Sequence, residues 1–142
     1  MQYQALFEPA PEGGFVVTFP DFAWGVTQGA DEAEAGAMAS DALAMVIAHY
    51  IGHNQPLPRP RVRRGRHYHA VRLPALLAAK AELYSAFRHA GITKAELARR
   101  LGIPRMNVDR LFDPKHRSRL DQIEAALLAV SKRLTISVED AA

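Results

Sequence analysis

Residues 93–112 read TKAELARRLGIPRMNVDRLF. Thr93 with Glu96 three residues later is a T-x-x-E capping box, which satisfies free N–H groups at a helix start. Leu97 and Leu101 recur at helical spacing, and Gly102 then permits the positive φ of a sharp turn. Pro104 suits the opening of a second helix, where its missing N–H costs nothing. Ala98 is the small residue at which two crossing helices can touch. Leu97, Leu101, Ile103, Val108 and Leu111 supply the apolar contacts that fix the crossing angle. The pattern predicts a helix-turn-helix. It leaves Arg105, Met106, Asn107, Asp109 and Arg110 on the solvent side of the second helix, side chains of the kind that read base edges or phosphates. Lys94, Lys115, His116 and Arg117 flank the motif and suit phosphate contacts. Two departures stand out. Pro104 occupies a position where many such motifs carry a capping Ser, and proline has no side-chain oxygen to cap with. Asp109 is acidic on a surface meant for DNA; it could accept from a cytosine amino group or hold Arg105 in place. The alternative use of such a pair is protein contact alone.

Outward from this motif the chain stays helical. Pro74 opens a helix whose apolar face is Leu76, Leu77, Leu83, Tyr84 and Phe87, with Gly91 as its C-cap. A further helix is expected over residues 119–133, with Ile123, Ala126, Leu127 and Val130 on one face. The segment LTISV then alternates Leu134, Ile136 and Val138 against Thr135 and Ser137, which predicts a short closing strand. It has no obvious local mate, so pairing across a two-fold through Leu134, Ile136 and Val138 is the dimerisation expected of it.

The first half reads differently. Tyr3 to Phe7 and Gly14 to Phe19 predict two strands joined by the turn Glu12-Gly13-Gly14, with Val26 to Gln28 as a third. Between them lies the corner Pro20-Asp21-Phe22-Ala23-Trp24-Gly25. Asp31 with Glu34 forms a D-x-x-E variant of the capping box, opening a helix to about Tyr50. Ala35, Ala39, Ala42, Val46 and Tyr50 mark its apolar face. Gly36 inside it costs about 1 kcal/mol relative to Ala, and a close helix–sheet approach is one explanation. Residues 52–66, GHNQPLPRPRVRRGR, read as a cationic linker because three prolines and two glycines preclude a helix. Tyr68 to Leu73 alternates and is expected to return to the sheet as a fourth strand. Strands first and helices afterwards give an α+β class. The boundary falls between a unit over 1–73 and one over 74–142.

The chain of 142 residues is 49% hydrophobic and 23% charged and has no cysteine, which removes disulfides and thiolate metal sites. The N-terminus lacks the pattern of a signal peptide, and no apolar run approaches the roughly 18 residues of a membrane span. A soluble, cytoplasmic protein is expected. The charges divide sharply. Residues 1–58 hold Glu8, Glu12, Asp21, Asp31, Glu32, Glu34 and Asp41 and no Lys or Arg, for −7. Residues 59–142 hold all 18 basic residues and 8 acids, for +10. Such a split points to two surfaces with different partners, nucleic acid for the basic one and something cationic for the acidic one. His49 and His53 have the spacing of a helix-borne zinc pair but no third ligand. No nucleophile or phosphate-loop motif occurs, and Asp21 lacks the further carboxylates that metal-assisted phosphoryl chemistry needs. Neither catalytic activity, nor a metal, nor a cofactor is expected.

Two stretches then carry a resemblance. GGFVVTFPDFAWGVTQG, followed by a helix and LPRP, resembles the N-terminal domain of HicB antitoxins. AGITKAELARRLGIPRMNVDRLFDPKHRSRLDQIEAALLAVSKRL resembles the helix-turn-helix half, of Xre or phage-repressor type, of those HicB proteins that carry one. Together they cover almost the whole chain. Ala30, where an acid often follows the glycine, and Gly36 depart from the pattern. The resemblance implies a partial RNase H-like β-β-β-α-β unit without nuclease carboxylates. It also implies binding and inhibition of a HicA toxin, a small basic mRNA-cleaving protein, and repression of the shared operon as a homodimer or higher even oligomer. On that reading Pro20, Asp21, Phe22 and Trp24 form the toxin-docking corner, the other use of Phe22 and Trp24 being a buried aromatic plug that holds the strand end. The other reading is a transcription regulator whose N-terminal domain binds a small ligand or mediates oligomerisation.

Overall fold

The structure, a computed structural model, describes residues 1–141; Ala142, at the end of the expected second unit, lies outside the described residues. Three strands come first: β1 (Gln2–Pro9), β2 (Phe15–Thr18) and β3 (Val26–Gly29). The long helix α1 (Glu32–Gly52) follows, then β4 (Tyr68–Arg72). The second half holds α2 (Ala75–Ala90), α3 (Lys94–Leu101), α4 (Arg105–Phe112) and α5 (Leu120–Ala129). The sheet order is β3-β2-β1-β4 with every pair antiparallel. This is a mixed fold with an antiparallel sheet and five helices, as the strand-then-helix pattern predicts.

Alternation sets the buried face. Tyr3, Ala5 and Phe7 on β1 are buried, and their cross-strand partners Val71 and Val17 are buried with them. Onto this face α1 lays Ala35, Ala39, Leu43, Val46, Ile47 and Ile51. Asp31 caps it, its carboxylate accepting from Glu34 N–H at 2.8 Å. Glu34 reaches back to Ala30 N–H at 3.3 Å, so the box closes one residue early. Among the described residues α1 is the one helix long and apolar enough to cross a membrane, but its apolar stripe packs on the sheet. The close helix–sheet approach occurs at Gly29, where a Cβ would collide with the backbone of Ala35 and Glu34. A Cβ on Gly36 would meet nothing within 4 Å, and nothing in the structure explains that glycine.

Residues 53–66, whose composition reads as a cationic linker, lie in a defined path along the rest of the chain. They form a strap tied down along its length. Tyr84 donates to Gln55 O at 2.7 Å and Tyr3 to Pro58 O at 2.7 Å. Arg61 N–H donates to the Asp21 carboxylate at 3.1 Å, and Arg63 N–H donates to Gln4 Oε1. Pro56, Pro58 and Pro60 bar a helix, so the backbone polar groups find side-chain partners instead.

The C-terminal segment also departs from expectation. Helix α5 ends at Ala129, short of Arg133, because Ser131 takes φ 63° and Lys132 N–H turns back to Leu127 O at 2.9 Å. No strand forms over Leu134–Val138: a strand needs a ladder, and the described residues supply none. Leu134 packs against the core, whereas Ile136 and Val138 are 69% and 94% exposed. Arg72 and Glu139 form a two-armed ion pair at 2.8 and 2.9 Å that moors the segment to β4.

Candidate functional site

At the corner after β2, the expected docking residues part company. The ring of Phe22 is buried between Tyr3 (centroids 4.7 Å) and Tyr50 (5.3 Å). Asp21 is turned inward too: its carboxyl side chain is 2% exposed and pairs with the Arg63 guanidinium at 3.0 Å. Burial, with the Asp21 charge adding to it, pushes the nearby Tyr3 hydroxyl well above its ordinary pKa. Asp21 and Phe22 therefore hold the corner and the strap rather than face a partner. Pro20 and Trp24 do face outward, Trp24 45% exposed with its ring edge-on to His49 at 4.9 Å. Val26, on the open edge of β3, and Met45, one turn before His49 on α1, are 68% and 71% exposed. The sequence reading missed these two. Met45 lies off the buried stripe of α1, and an exposed methionine there is the signal that was available.

The charge division at residue 58 does not survive folding. The strap lays its arginines across the sheet half, so residues 1–73 carry seven acids and six arginines. The exposed acids Glu12, Asp31, Glu32 and Glu34 instead gather at one end. There the β1–β2 turn meets the start of α1: Gly14 abuts Gly29 and Ala30.

In the helical half, α3 and α4 are eight residues each, joined by the turn 102–104. Thr93 Oγ1 accepts from Glu96 N–H at 3.1 Å. The Glu96 carboxylate turns to Arg99 and Arg100 rather than back to Thr93, and hydrogen bonds from those guanidinium groups hold its pKa down at about 2. Gly102 sits at φ 65°, closing α3 as a left-handed cap, and Ile103 N–H returns to Ala98 O at 3.1 Å. Leu97, Ala98, Val108, Leu111 and Phe112 are buried, with Leu101 and Ile103 half-buried. Arg105, Met106, Asp109 and Arg110 project into solvent; Asn107 is half-buried at the mouth of a cavity of about 180 Å³. Asp109 does not hold Arg105. It pairs with Lys94 at 2.8 Å, bridging the start of α3 to α4. Arg105 has no carboxylate partner among the described residues and is free for a ligand. Lys115 and Arg117 are exposed, while the His116 ring is half-buried with Nδ1 3.1 Å from Ser118 Oγ.

The residue that organises this surface is Lys80, which sequence reasoning did not single out. It is wholly buried on α2, and its ammonium donates to the carbonyls of Arg110 (3.0 Å), Asp113 (2.6 Å) and His116 (2.7 Å). Those carbonyls belong to the last turn of α4 and the loop after it, so Lys80 closes the helix end and sets the loop that carries Lys115 and Arg117. Burial pushes its pKa down, and the Asp113 charge offsets part of that. Its position between Leu76 or Leu77 and Leu83, Tyr84 or Phe87 puts a lysine in the middle of an apolar stripe, which is the signal that could have found it. His49 and His53 stack at 4.0 Å, and the described residues contain no His, Asp and Glu cluster able to hold a metal.

The comparisons with known proteins bear on the chain at this point. A family model described as HicB-like antitoxin of bacterial toxin–antitoxin systems matches residues 2–82. Antitoxin HicB of Escherichia coli (strain K12) is 38% identical over 136 residues, 96% of this chain and 98% of that protein. The chain belongs to the HicB-like antitoxin family. Antitoxin HicB 1 of Photorhabdus laumondii is 36% identical over 139 residues, covering 98% of this chain and 88% of that one. A chain of a solved toxin–antitoxin complex from Streptococcus pneumoniae aligns over 81% of this chain and 99% of its own length, at 22% identity and a TM-score of 0.45, too loose a likeness to inform function. In this HicB-like antitoxin the family match covers the sheet, α1, the strap and the first turns of α2. The relatives extend it through α3, α4 and α5.

Proposed function

We propose that this antitoxin has two working surfaces in two units, 1–73 and 74–142. The first, a partial RNase H-like unit, binds and inhibits a HicA-type mRNA-cleaving toxin. The second, a helix-turn-helix, binds operator DNA in the cytoplasm and represses the toxin–antitoxin operon. The observation that carries the DNA half is α4: Val108 and Leu111 inward, Arg105, Met106 and Arg110 outward, with Arg105 unpaired. In this reading Arg105, Met106, Asn107, Asp109 and Arg110 reach toward the major groove, and Lys94, Lys115, His116 and Arg117 contact or orient phosphates. The toxin meets the outward part of the corner, Pro20 and Trp24, extended by Val26 and Met45, with Asp21 and Phe22 holding its shape. The gathered acids at the start of α1 suit a basic partner. Ile136 and Val138, exposed and unpaired, pair with a second copy while Leu134 anchors the segment.

The test is co-expression with the small basic protein encoded next to this gene, followed by RNA-cleavage and operator-binding assays. A stable complex that suppresses cleavage and binds operator supports the reading; free cleavage in the presence of excess antitoxin refutes it. Removal of residues 134–142 is expected to weaken operator binding far more than toxin binding. An unchanged oligomer after that removal refutes the dimer assignment.

A further inference from the structure

A groove away from α4 combines features that neither proposed surface uses. It has a volume of about 950 Å³ and runs between the strap at Pro56–Pro60, the outer face of α2 and residues 132–135. Its charged lining is one-sided. Arg59, Arg88, Lys132 and Arg133 face it with His89, and the single acid, Glu82, is engaged by the Met1 ammonium at 3.3 Å. None of those four cations has a carboxylate within 4 Å among the described residues. Arg61 and Arg64 are exposed on the adjoining strap and are equally unpaired.

One of these cations is pinned, and the strap backbone that carries Arg59 is held in place. Arg88 donates to Asn54 O at 2.8 Å, which fixes its guanidinium without neutralising it. The strap backbone is stiffened by Pro56, Pro58 and Pro60 and tied at Gln55, Pro58 and Arg61. Among the described residues the one ion pair made by a strap arginine is that of Arg63 with Asp21. A cluster of unpaired cations raises the local potential, and a ligand bearing a regular series of negative charges relieves it.

We infer that this groove is a second, sequence-independent DNA contact, which binds the phosphodiester backbone of duplex DNA outside the bases read by α4. Guanidinium forks match phosphate oxygens two at a time, and three of the four cations lining the groove, Arg59, Arg88 and Arg133, carry such forks. The same charge excludes a basic toxin from the groove, so the two partners do not compete for it. The inference rests on the DNA-binding reading above.

The experiment compares wild type with a triple variant, Arg59→Gln, Lys132→Gln and Arg133→Gln. These side chains make no hydrogen bond in the structure and so can change without disturbing the fold. Fluorescence anisotropy on operator duplex, on scrambled duplex and on an RNA strand is followed between about 50 and 200 mM salt. Every phosphate that a removed cation had neutralised takes about 0.9 off the salt slope, so the variant's slope should fall by roughly 2.7 on both duplexes. Over a fourfold salt rise, the wild type then loses about 40-fold more affinity than the variant. The operator-to-scrambled ratio should stay unchanged, and the variant should melt with the wild type. An unchanged slope with operator preference intact overturns the groove and leaves the α4 reading standing. A slope loss without any operator preference in the wild type supports the groove and overturns the α4 reading. A slope loss seen only on RNA overturns the assignment to DNA.

Discussion

Each half of the molecule sinks one charged side chain to hold a loop, and the two do it differently. In the sheet half Asp21 meets a full countercharge, Arg63, and one backbone N–H, that of Arg61. In the helical half Lys80 has no countercharge in contact and relies on three backbone carbonyls. Arg63 retains 28% side-chain exposure, so water screens the first arrangement; Lys80 is closed off completely. The loop it holds bears the cations proposed to meet phosphate. A buried charge held mainly by backbone dipoles is more sensitive to loss than a charge in a screened pair, because removing it takes away three charge-assisted hydrogen bonds at once.

The sharpest way to break that contrast is Lys80→Met, which keeps the apolar stem and removes three charge-assisted hydrogen bonds, leaving the carbonyls only their weaker partners within the loop. It should cost about 3 kcal/mol or more of stability in urea unfolding and abolish operator binding, while Lys80→Arg should only partly rescue because a guanidinium cannot point three donors at one spot. Operator binding that survives Lys80→Met would show the 113–118 loop to be irrelevant to DNA. Asp21→Asn comes next, at about 2 kcal/mol. Its distinguishing readout is faster hydrogen exchange at the amides of Arg61 and Arg63 with the rest of the sheet unchanged; protection that persists there would mean the strap is held without Asp21, by Tyr84, Tyr3 and Gln4.

Trp24→Ala probes a side chain that projects rather than holds. With 45% of it exposed, little stability should be lost, whereas toxin affinity should fall by about 2 kcal/mol if it anchors the interface. A fall in melting temperature with toxin affinity retained would return Trp24 to the core. The smallest effect concerns Glu96. Its folded pKa of about 2 lies below the ordinary 4.5, so the unfolded state binds more protons in between and the contribution is present in full above the ordinary value. It should fade as pH drops from about 4.5 to about 2. The stability difference between wild type and Glu96→Gln, followed by thermal melting across that window, should therefore shrink toward acid; a difference that grows toward acid contradicts the assignment. Both arginines are solvent-exposed partners, so this effect is small and salt-sensitive.

Much of the architecture was legible because local chemistry and global fold agree. Asp31 and Thr93 announced their helices, and both caps form. The alternation of Tyr3, Ala5 and Phe7 named the buried face, and Gly91 and Gly102 marked the helix ends. The failures share a cause. Residues 53–66 looked like a linker because composition reports what a segment cannot do, here form a helix, and not which distant groups will bind it. The corner leaves docking and a structural plug open, because the partners that bury Asp21 and Phe22 lie dozens of residues away in Arg63 and Tyr50. Of the two uses the sequence offers Asp109, a cytosine amino group or Arg105 on its own helix, the second does not occur, because α3 brings Lys94 within 2.8 Å. Leu134–Val138 has the pattern of a strand and no ladder within the chain.

By itself the sequence determined element type, order and family. Periodicity, caps and turn residues act over a few bonds, and a resemblance carried by motifs needs no coordinates. Tertiary structure decided which charges are structural and which are free. Asp21, Arg63 and Lys80 became fasteners, while Arg59, Arg105 and Arg133 were left unpaired. The physical reason is that a charged side chain takes its role from burial and from neighbours that only chain folding brings within hydrogen-bond distance.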